Sequence, residues 1–458
     1  MDWLIFEGSE GIDTFLDREK NNKHKGDERL VPFKTKNDIN RYEDFSGVAG
    51  AFSRLMSGTV IKKDMTPEEI KEGIRKKTDC DEEDLEKLFR IVRDMYFDGG
   101  KLVPINVKSL SLLDSNVTQR QVADYLYSLF IESTDLKKRY QQMADAEDTN
   151  VFEKLLFDIF EDEKGEEKKT VQKAECFLPY VREMFQKDFT ALIQNADVFK
   201  SYIRRFLAYY YMFYVSQLAV KLWKFDQGDR NEIEKIYMTL NWEGISKVRP
   251  GYEYGWKYVT ERLGHMFSHS CVMFLLSHNI EDRHYDYIGL RERFEGTPED
   301  EEAAREIREV RKKYENWIPM DYENCIHKSA GSECKTSREA ERLFETIDYQ
   351  FINGGRSSHY NGYNKKFIDF VQKNFGKRRG TLGYTVGVNE NDIVMFTRII
   401  LLENQGRIRL SALFDEFDKR GLIFDRGSKK KVTELFEKMN LLEKRSDSGD
   451  AQYVKYVL

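Results

Sequence analysis

The sequence predicts a mainly α-helical protein, in which a multi-helical N-terminal and central region precedes a smaller C-terminal domain. Only 7 of the 458 residues are proline while 34% are charged, a composition typical of charge-rich helical proteins. Apolar residues recur three and four positions apart through much of the chain after Thr66, which is the spacing of one helix face. The 31 Phe and 25 Tyr residues favour helical layers with bulky cores.

Charge and cysteine content limit the classes of protein. The net charge is −6, so the whole chain is not a basic nucleic-acid binder, and any phosphate-binding surface must be local. The five cysteines are odd in number and scattered, which favours a reducing, cytoplasmic setting. Residues 1–7 lack the basic region and apolar length of a signal peptide. Residues 206–220 are strongly apolar but contain Ser216 and Gln217, which predicts a buried helix rather than a membrane span.

Local signals mark the first helices. Residues 66–69 read Thr-Pro-Glu-Glu, which predicts a capping box with a proline at the first helical position. Asp81 is predicted to begin the next helix. The apolar three-four spacing returns over residues 116–131 and 151–160. The charged run 161–170 then predicts a domain boundary or a loop.

These signals divide the chain into four segments. We expect an N-terminal, mostly helical domain over residues 1–165 and a central helical domain over residues 166–350. Residues 351–388 are predicted to be a basic, Gly- and Asn-rich connector, and residues 389–458 a separate C-terminal domain.

The connector is strongly basic over residues 353–380. Seven Lys or Arg residues stand there against a single acid, Asp369. The aromatic residues of this stretch are interleaved with the charge: Tyr360, Tyr363, Phe367 and Phe375. This pattern suits a segment that follows a nucleic-acid backbone and stacks on bases. Alternatively, the segment is a solvated loop whose aromatic residues belong to the core.

The last seventy residues follow the order of a winged helix-turn-helix domain. A helix is predicted over residues 392–402 and a short extended piece over residues 407–409. A second helix is predicted to be capped by Ser411 and to end at Gly421 in the left-handed conformation. A third is predicted to begin at the N-cap Ser428. Two strands over residues 441–445 and 451–458, joined by the turn 446–450, are predicted to complete a wing.

The start of the third helix is the candidate DNA contact. Cations there oppose the helix dipole, and a bound phosphate would reverse that cost. Glu434 and Glu437 lie on the outer face, where bases would be read, which predicts phosphate contact without strong sequence readout. The alternative is a protein-docking module, because residues 389–458 carry thirteen basic and twelve acidic residues. The predicted DNA-binding residues are Lys365, Lys366, Lys377, Arg378, Arg379, Arg426, Ser428, Lys429, Lys430 and Lys431.

Motifs for catalysis are missing from the sequence. Residues 329–336 end in Lys-Thr but lack the glycines of a phosphate-binding loop, so no nucleotide cofactor is predicted. His265 and His269 have the spacing of a helical zinc pair, but no Glu follows His265, and satisfied core histidines are the favoured interpretation. Cys325 and Cys334 are a weaker metal pair, and no metal site is predicted. We assign no catalytic residue.

A family resemblance rests on the C-terminal stretch. Residues 407–458 resemble the G component, DptG or DndG, of DNA phosphorothioation-dependent restriction systems. The points of similarity are the Lys-Arg-Gly of residues 419–421, the Phe-Asp-Arg of residues 424–426 and the wing sequence of residues 446–451. Residues 380–384 (Gly-Thr-Leu-Gly-Tyr) fit the same family, whereas the first 350 residues contribute little.

The resemblance implies a role in bacterial defence against phage. In such systems the F, G and H components together restrict DNA that lacks sulfur in its backbone, and the nucleotide-hydrolysing motors are expected in F and H. This chain would be the non-motor subunit, which engages the DNA backbone or bridges the ATPase and helicase partners. A protein scaffold without DNA contact and a nuclease with an unrecognised site are the other hypotheses.

Overall fold

Helices dominate the structure, a computed structural model. It describes residues 16–17, 23–33, 42, 44–59, 66–99, 101–131, 134–147, 149–162, 174–276, 285–325, 331–355, 357–444 and 452–455, which we call the described residues. Strands among them are only two to four residues long. The predicted mainly α class is therefore confirmed.

The N-terminal segment is built from six helices and two short hairpins among its described residues. They are β1 (Leu16–Asp17), β2 (Lys23–His24), α1 (Ser46–Ser57), α2 (Pro67–Lys77), α3 (Glu82–Tyr96), β3 (Phe97–Asp98), β4 (Lys101–Leu102), a 3-10 turn (Lys108–Leu112), α4 (Val117–Phe130), α5 (Thr134–Ala146) and α6 (Val151–Asp162). The predicted charged break covers residues 161–170, of which residues 163–170 lie outside the described residues.

Both capping predictions in this segment are confirmed. The Thr66 hydroxyl accepts the Glu69 amide N–H at 3.2 Å, and the Glu69 carboxylate accepts the Thr66 amide N–H at 2.9 Å. Asp81 accepts the Asp84 amide N–H at 2.9 Å in the same way. These contacts satisfy N–H groups that have no partner inside a helix, so they fix where α2 and α3 begin.

A long buried helix forms the axis of the central segment. The elements here are α7 (Pro179–Leu192), α8 (Ala196–Trp223), a 3-10 turn (Phe225–Gln227), β5 (Tyr237–Met238), α9 (Pro250–Glu253), α10 (Trp256–Leu263), α11 (Met266–Leu276), α12 (Tyr287–Phe294), α13 (Asp300–Trp317) and α14 (Lys335–Asn353). Every residue of α8 from 206 to 222 is buried, which confirms the predicted buried helix. Its polar Gln217 is satisfied by the backbone of Glu234, to which it donates at 2.9 Å and from which it accepts at 2.8 Å. Within the described part of the chain, we find no helix long and apolar enough to cross a membrane.

The core is continuous across the predicted segments. One cluster of buried apolar residues extends from Leu30 to Val454 and includes members of all four segments. A smaller cluster lies between α2, α3 and α6 and includes Ile70, Leu85 and Phe160. The C-terminal segment is therefore packed onto the rest of the molecule, while the division of the chain into domains stays a prediction.

The predicted basic connector, residues 351–388, folds into helices and a hairpin; we call it the basic segment. Its elements are α15 (Ser357–Tyr363), α16 (Lys365–Phe375), β6 (Gly376–Arg378), a 3-10 turn (Gly380–Leu382) and β7 (Tyr384–Val386). Its four interleaved aromatic residues are buried in the main core. They follow helical spacing and pack inward, as the second interpretation of this segment expected, so they are not available to stack on bases.

The described residues of the C-terminal segment form three helices and a three-stranded sheet. Its elements are α17 (Glu390–Glu403), β8 (Arg407–Arg409), α18 (Leu410–Lys419), β9 (Ile423–Phe424), α19 (Arg426–Lys438), β10 (Leu442–Lys444) and β11 (Gln452–Lys455). The antiparallel sheet has the order β10-β11-β8, with Val454 opposite both Leu442 and Ile408. The predicted turn 446–450 and residues 456–458 lie outside the described residues.

Two predicted N-caps in this segment are wrong. Helix α18 begins at Leu410, so Ser411 is inside the helix rather than its cap. Helix α19 begins at Arg426 and is capped by Asp425, three residues before the predicted Ser428. Gly421 does follow α18 with a φ of 77°, as predicted, and a Cβ there would lie 2.3 Å from the Phe213 ring.

Candidate nucleic-acid interface

An ion pair holds the start of α19. The Asp425 carboxylate accepts the Ser428 amide N–H at 2.9 Å and two hydrogen bonds from the Arg249 guanidinium at 2.8 and 2.6 Å. Burial alone would raise the pKa of Asp425, but the hydrogen bonds from Arg249 and Ser428 outweigh it, so the pKa is lowered. Asp425 is therefore a carboxylate at neutral pH and stabilises the positive end of the helix dipole.

Ser428 has a structural role. Its side chain is fully buried, and its hydroxyl oxygen accepts the amide N–H groups of Leu240 at 3.2 Å and Asn241 at 3.5 Å. A buried hydroxyl with these partners cannot reach a phosphate. We therefore remove Ser428 from the interface and assign it to the attachment of residues 239–250.

The cations of α19 remain on the surface but are partly compensated. Lys430 is 79% exposed and lies 3.9 Å from Glu434, while the Lys431 ammonium lies 2.9 Å from the same carboxylate. The hydrogen bond from Lys431 lowers the pKa of Glu434. Arg426 is exposed, and the Lys429 ammonium lies 5.2 Å from the centre of the Phe414 ring. One carboxylate is thus shared by two of the four cations.

The β6–β7 hairpin carries a second group of cations. Lys377 and Arg378 are exposed on β6, and neither forms an ion pair with a described residue. The Arg379 amide N–H donates to the Gly383 carbonyl at 2.8 Å, which closes the turn. Gly380 and Gly383 both have positive φ, 47° and 74°, where a side chain would be strained.

Residues 237–250 join the two basic groups. Strand β5 pairs in parallel with β9, just before α19, with Tyr237 opposite Ile423. The Thr239 amide N–H donates to the Val386 carbonyl of β7 at 3.1 Å. Further along, the Trp242 carbonyl accepts from the Arg379 guanidinium at 3.5 Å.

This attachment places the hairpin beside the start of α19. Ser428 binds Leu240 and Asn241, and Arg379 binds Trp242, so the two attachment points are at most two residues apart in the connecting chain. Two residues span at most about 7 Å. We call the surface formed by residues 377–379, 426 and 429–431 the basic surface.

The other predicted cations lie elsewhere. Lys365 and Lys366 begin α16, whereas the hairpin follows its last residue. An 11-residue helix is about 16 Å long, so these lysines are separated from the basic surface. Lys366 also lines a small cavity beside Phe33 and Tyr363.

The two histidines that have the spacing of a helical zinc pair contact protein groups. His265 Nδ1 lies 2.9 Å from the Asp348 carboxylate and 2.9 Å from the Tyr360 hydroxyl. His269 Nδ1 lies 3.0 Å from the Tyr287 hydroxyl, and burial lowers the pKa of His269. His278 and His284, which follow them in the sequence, lie outside the described residues.

One member of the cysteine pair, Cys334, also has a protein partner. The Cys334 thiol donates to the Asp300 carboxylate at 3.4 Å, and Cys325 is buried. His327, which lies between the two cysteines in the sequence, is outside the described residues. Among the described residues, no group of three His, Cys, Asp or Glu side chains has the geometry of a metal site.

Sequence reasoning missed the connecting segment. Arg249 pairs with Asp425 and so supports the start of α19, and the exposed Lys247 lies two residues before it in the chain. The Lys-Val-Arg-Pro sequence of residues 247–250 was the available local signal. Asp425, the partner of Arg249, lies 176 positions further along the chain, so no local sequence pattern indicates this contact.

No protein-family model matches the sequence, and no curated protein is similar to it.

Proposed function

We propose that this chain is the non-motor, DNA-engaging subunit of a phosphorothioation-dependent restriction complex in the bacterial cytoplasm, and that the basic surface contacts the DNA backbone. The observation that carries this proposal is the attachment of Arg379 and Ser428 to neighbouring residues of one segment. It brings together two groups of cations that are 47 or more positions apart in the sequence, from residue 379 to residue 426. The net charge of the chain is −6, so it can bind a polyanion only through a local cluster of positive charge such as this one.

We interpret the C-terminal segment as a winged helix-turn-helix domain. Three helices and the β10-β11-β8 sheet support this interpretation, since the sheet places a two-stranded wing against the short strand after α17. In this domain class the third helix is the one that approaches DNA. Here that helix is α19, whose first turns carry the cations.

The contact is with phosphates rather than with base edges. Lys430 and Lys431 share Glu434, and Glu437 is exposed further along the same helix. Carboxylates on the outer face of α19 would repel the DNA phosphates wherever this helix entered a groove deeply. The start of α19 and the hairpin are therefore the parts that approach the duplex.

The resemblance of residues 407–458 supports the biological setting. It implies ATPase and helicase partners, with this chain providing contacts to DNA or between the motors. We assign the chain no catalytic step.

Charge removal tests this proposal. The variant with Lys377, Arg378, Arg379, Lys429, Lys430 and Lys431 changed to Ala is compared with wild type for binding to a labelled duplex by fluorescence anisotropy. We expect wild-type affinity to fall steeply with salt and the variant to lose most of its binding at low salt. A control that removes three cations outside the basic surface changes the exposed Lys76, Lys87 and Arg90 of α2 and α3 to Ala and should bind as wild type does. Unchanged binding in the variant that carries all six substitutions would refute the proposal.

The second candidate is a scaffold whose C-terminal domain docks a motor subunit. The compensation of Lys430 and Lys431 by Glu434 favours it, because that helix face is close to neutral. Co-purification with the motor subunits, together with no duplex binding at low salt, would select the scaffold.

A further inference from the structure

One aromatic side chain stands beside the cations of the hairpin. The aromatic residues of the basic segment are buried, from Phe367 at 0% to Tyr360 at 7% exposed, whereas Tyr384 of β7 is 39% exposed. Tyr384 makes no ring contact and no side-chain hydrogen bond with another described residue. Its ring is available to a ligand.

The register of the hairpin pairs this ring with a cation. Tyr384 lies directly opposite Arg378 in the antiparallel ladder. Directly opposed residues project to the same face, with Cβ atoms about 4.5–5.5 Å apart. A guanidinium and an aromatic ring therefore project side by side from one face of the hairpin.

The hairpin is held in place from both sides. Gly376, opposite Val386, follows the buried Phe375, and the Val386 carbonyl is bound by the Thr239 amide. Thr385, next to Tyr384, is buried and donates to the Lys377 carbonyl at 3.4 Å. The ring and the guanidinium are thus presented by a fixed backbone, which reduces the entropy lost on binding.

This inference rests on the proposed function and specifies its substrate. We propose that Tyr384 stacks on an unpaired base while Arg378 contacts the adjoining phosphate, so that the basic surface prefers single-stranded or locally unwound DNA to a closed duplex. A closed duplex hides the faces of its bases, whereas an unpaired base exposes a face on which an aromatic ring can stack. Cations alone do not make this distinction, because both forms of DNA carry phosphates.

The test uses the full-length chain and three labelled probes. They are an oligothymidylate, a duplex of the same length, and that duplex with a central unpaired bubble. Wild type should bind the oligothymidylate and the bubble more tightly than the duplex. Tyr384→Leu should lower affinity for the first two probes about tenfold and leave duplex affinity unchanged within about twofold.

Two variants control for the shape of the side chain. Tyr384→Phe keeps the ring and should bind all three probes as wild type does. Val151→Ala trims an apolar side chain on α6 that is 71% exposed and has no ring, and it should leave the probe preference unchanged. Thermal unfolding of each variant verifies that it is folded.

The outcomes separate this inference from the proposed function. Equal effects of Tyr384→Leu on all three probes, or none on any, would overturn the stacking role while salt-dependent duplex binding upheld the proposed function. Absence of binding to every probe by wild type would overturn both. A covalent photo-crosslink from 5-bromodeoxyuridine in the bubble to Tyr384, mapped by mass spectrometry, would support the contact directly.

Discussion

Arg420 and Asp188 form an ion pair in which both side chains are fully buried, with Nη2 and Oδ1 2.6 Å apart. Arg420 follows α18 and Asp188 lies on α7, so the pair attaches the C-terminal segment to the central one. The Tyr210 hydroxyl donates to the other Asp188 oxygen at 2.7 Å. Burial would lower the pKa of Arg420, but Asp188 holds it above its ordinary value. The position of the helices before α19 therefore depends on this contact.

Removing the Arg420 side chain should be strongly destabilising. Arg420→Met leaves Asp188 buried without its cation, and we expect the free energy of unfolding to fall by about 3–5 kcal/mol. Urea unfolding followed by circular dichroism measures the change. Adding Asp188→Leu to Arg420→Met should recover part of the loss, because an apolar pair replaces the uncompensated carboxylate.

A neighbouring ion pair in which only the lysine is half exposed is the control. The Lys187 ammonium is half exposed and lies 2.9 Å from Glu403. Glu403 keeps its ion pair with Arg420 when Lys187 is removed, so Lys187→Ala should change stability by less than about 1 kcal/mol. If Arg420→Met were no more destabilising than Lys187→Ala, the buried pair would not hold the two segments together.

Asp124 should make stability depend on pH. Burial raises the pKa of Asp124 from 3.8 to about 6, although Arg120 and Arg54 oppose the shift. Because the folded pKa exceeds the unfolded one, the fold favours the protonated form, and stability is lost as the pH rises between these two values. Asp124→Asn removes the charged form. Since Asp124 is only partly buried, we expect a gain of about 1–2 kcal/mol at pH 8 and little change at pH 3.

Chemical unfolding at both pH values measures this effect. Asp94→Asn, at an exposed position of α3, is measured beside it as the control for replacing a carboxylate by an amide. A gain for Asp124→Asn of equal size at both pH values would show that its origin is not the titration of this carboxyl group.

Gly387 should be intolerant of a side chain. A Cβ at this position would lie 1.7 Å from the Thr239 carbonyl oxygen, and backbone cannot rotate away as a side chain can. We expect Gly387→Ala to destabilise the protein by about 1–3 kcal/mol. It should also weaken duplex binding, because it moves the hairpin away from residues 239–250. Gly362→Ala on α15 is the matched control, since nothing lies within 4 Å of its Cβ. Equal stability and DNA affinity in the two variants would contradict the close approach.

Local signals in the sequence predicted much of the fold. The Thr66 capping box, the Asp81 cap and the left-handed Gly421 were predicted because each depends on residues within a few positions. The order of elements after residue 389 was predicted for the same reason. The N-cap of α19 was predicted at Ser428, but Asp425, another residue suited to an N-cap, lies three positions earlier. Asp425 is the cap because its carboxylate accepts the Ser428 amide N–H and is held in place by Arg249.

The assembled interface was beyond local reasoning. The β5–β9 pairing joins Tyr237 to Ile423, which are far apart in the sequence and occupy strands of two residues. So short a strand has no periodicity to detect. The aromatic residues interleaved with charge near Phe367 were compatible with stacking or with a helix face, and only packing distinguishes the two.

The shared basic surface is tested most directly by the salt dependence of duplex binding when each cation group is removed separately. One triple variant changes residues 377–379 to Ala, and the other changes residues 429–431 to Ala. Two single variants are measured beside them: Arg378→Ala removes one cation of the basic surface, and Lys365→Ala removes one cation outside it and is the control. If one duplex touches both groups, each triple variant should lower the slope of log K against log salt by about 0.9 for every phosphate that the protein no longer neutralises, and the variant that carries all six substitutions should show the sum of the two reductions. Lys365→Ala should leave the slope unchanged. A slope altered by only one triple variant, or altered as much by Lys365→Ala as by Arg378→Ala, would contradict a shared basic surface.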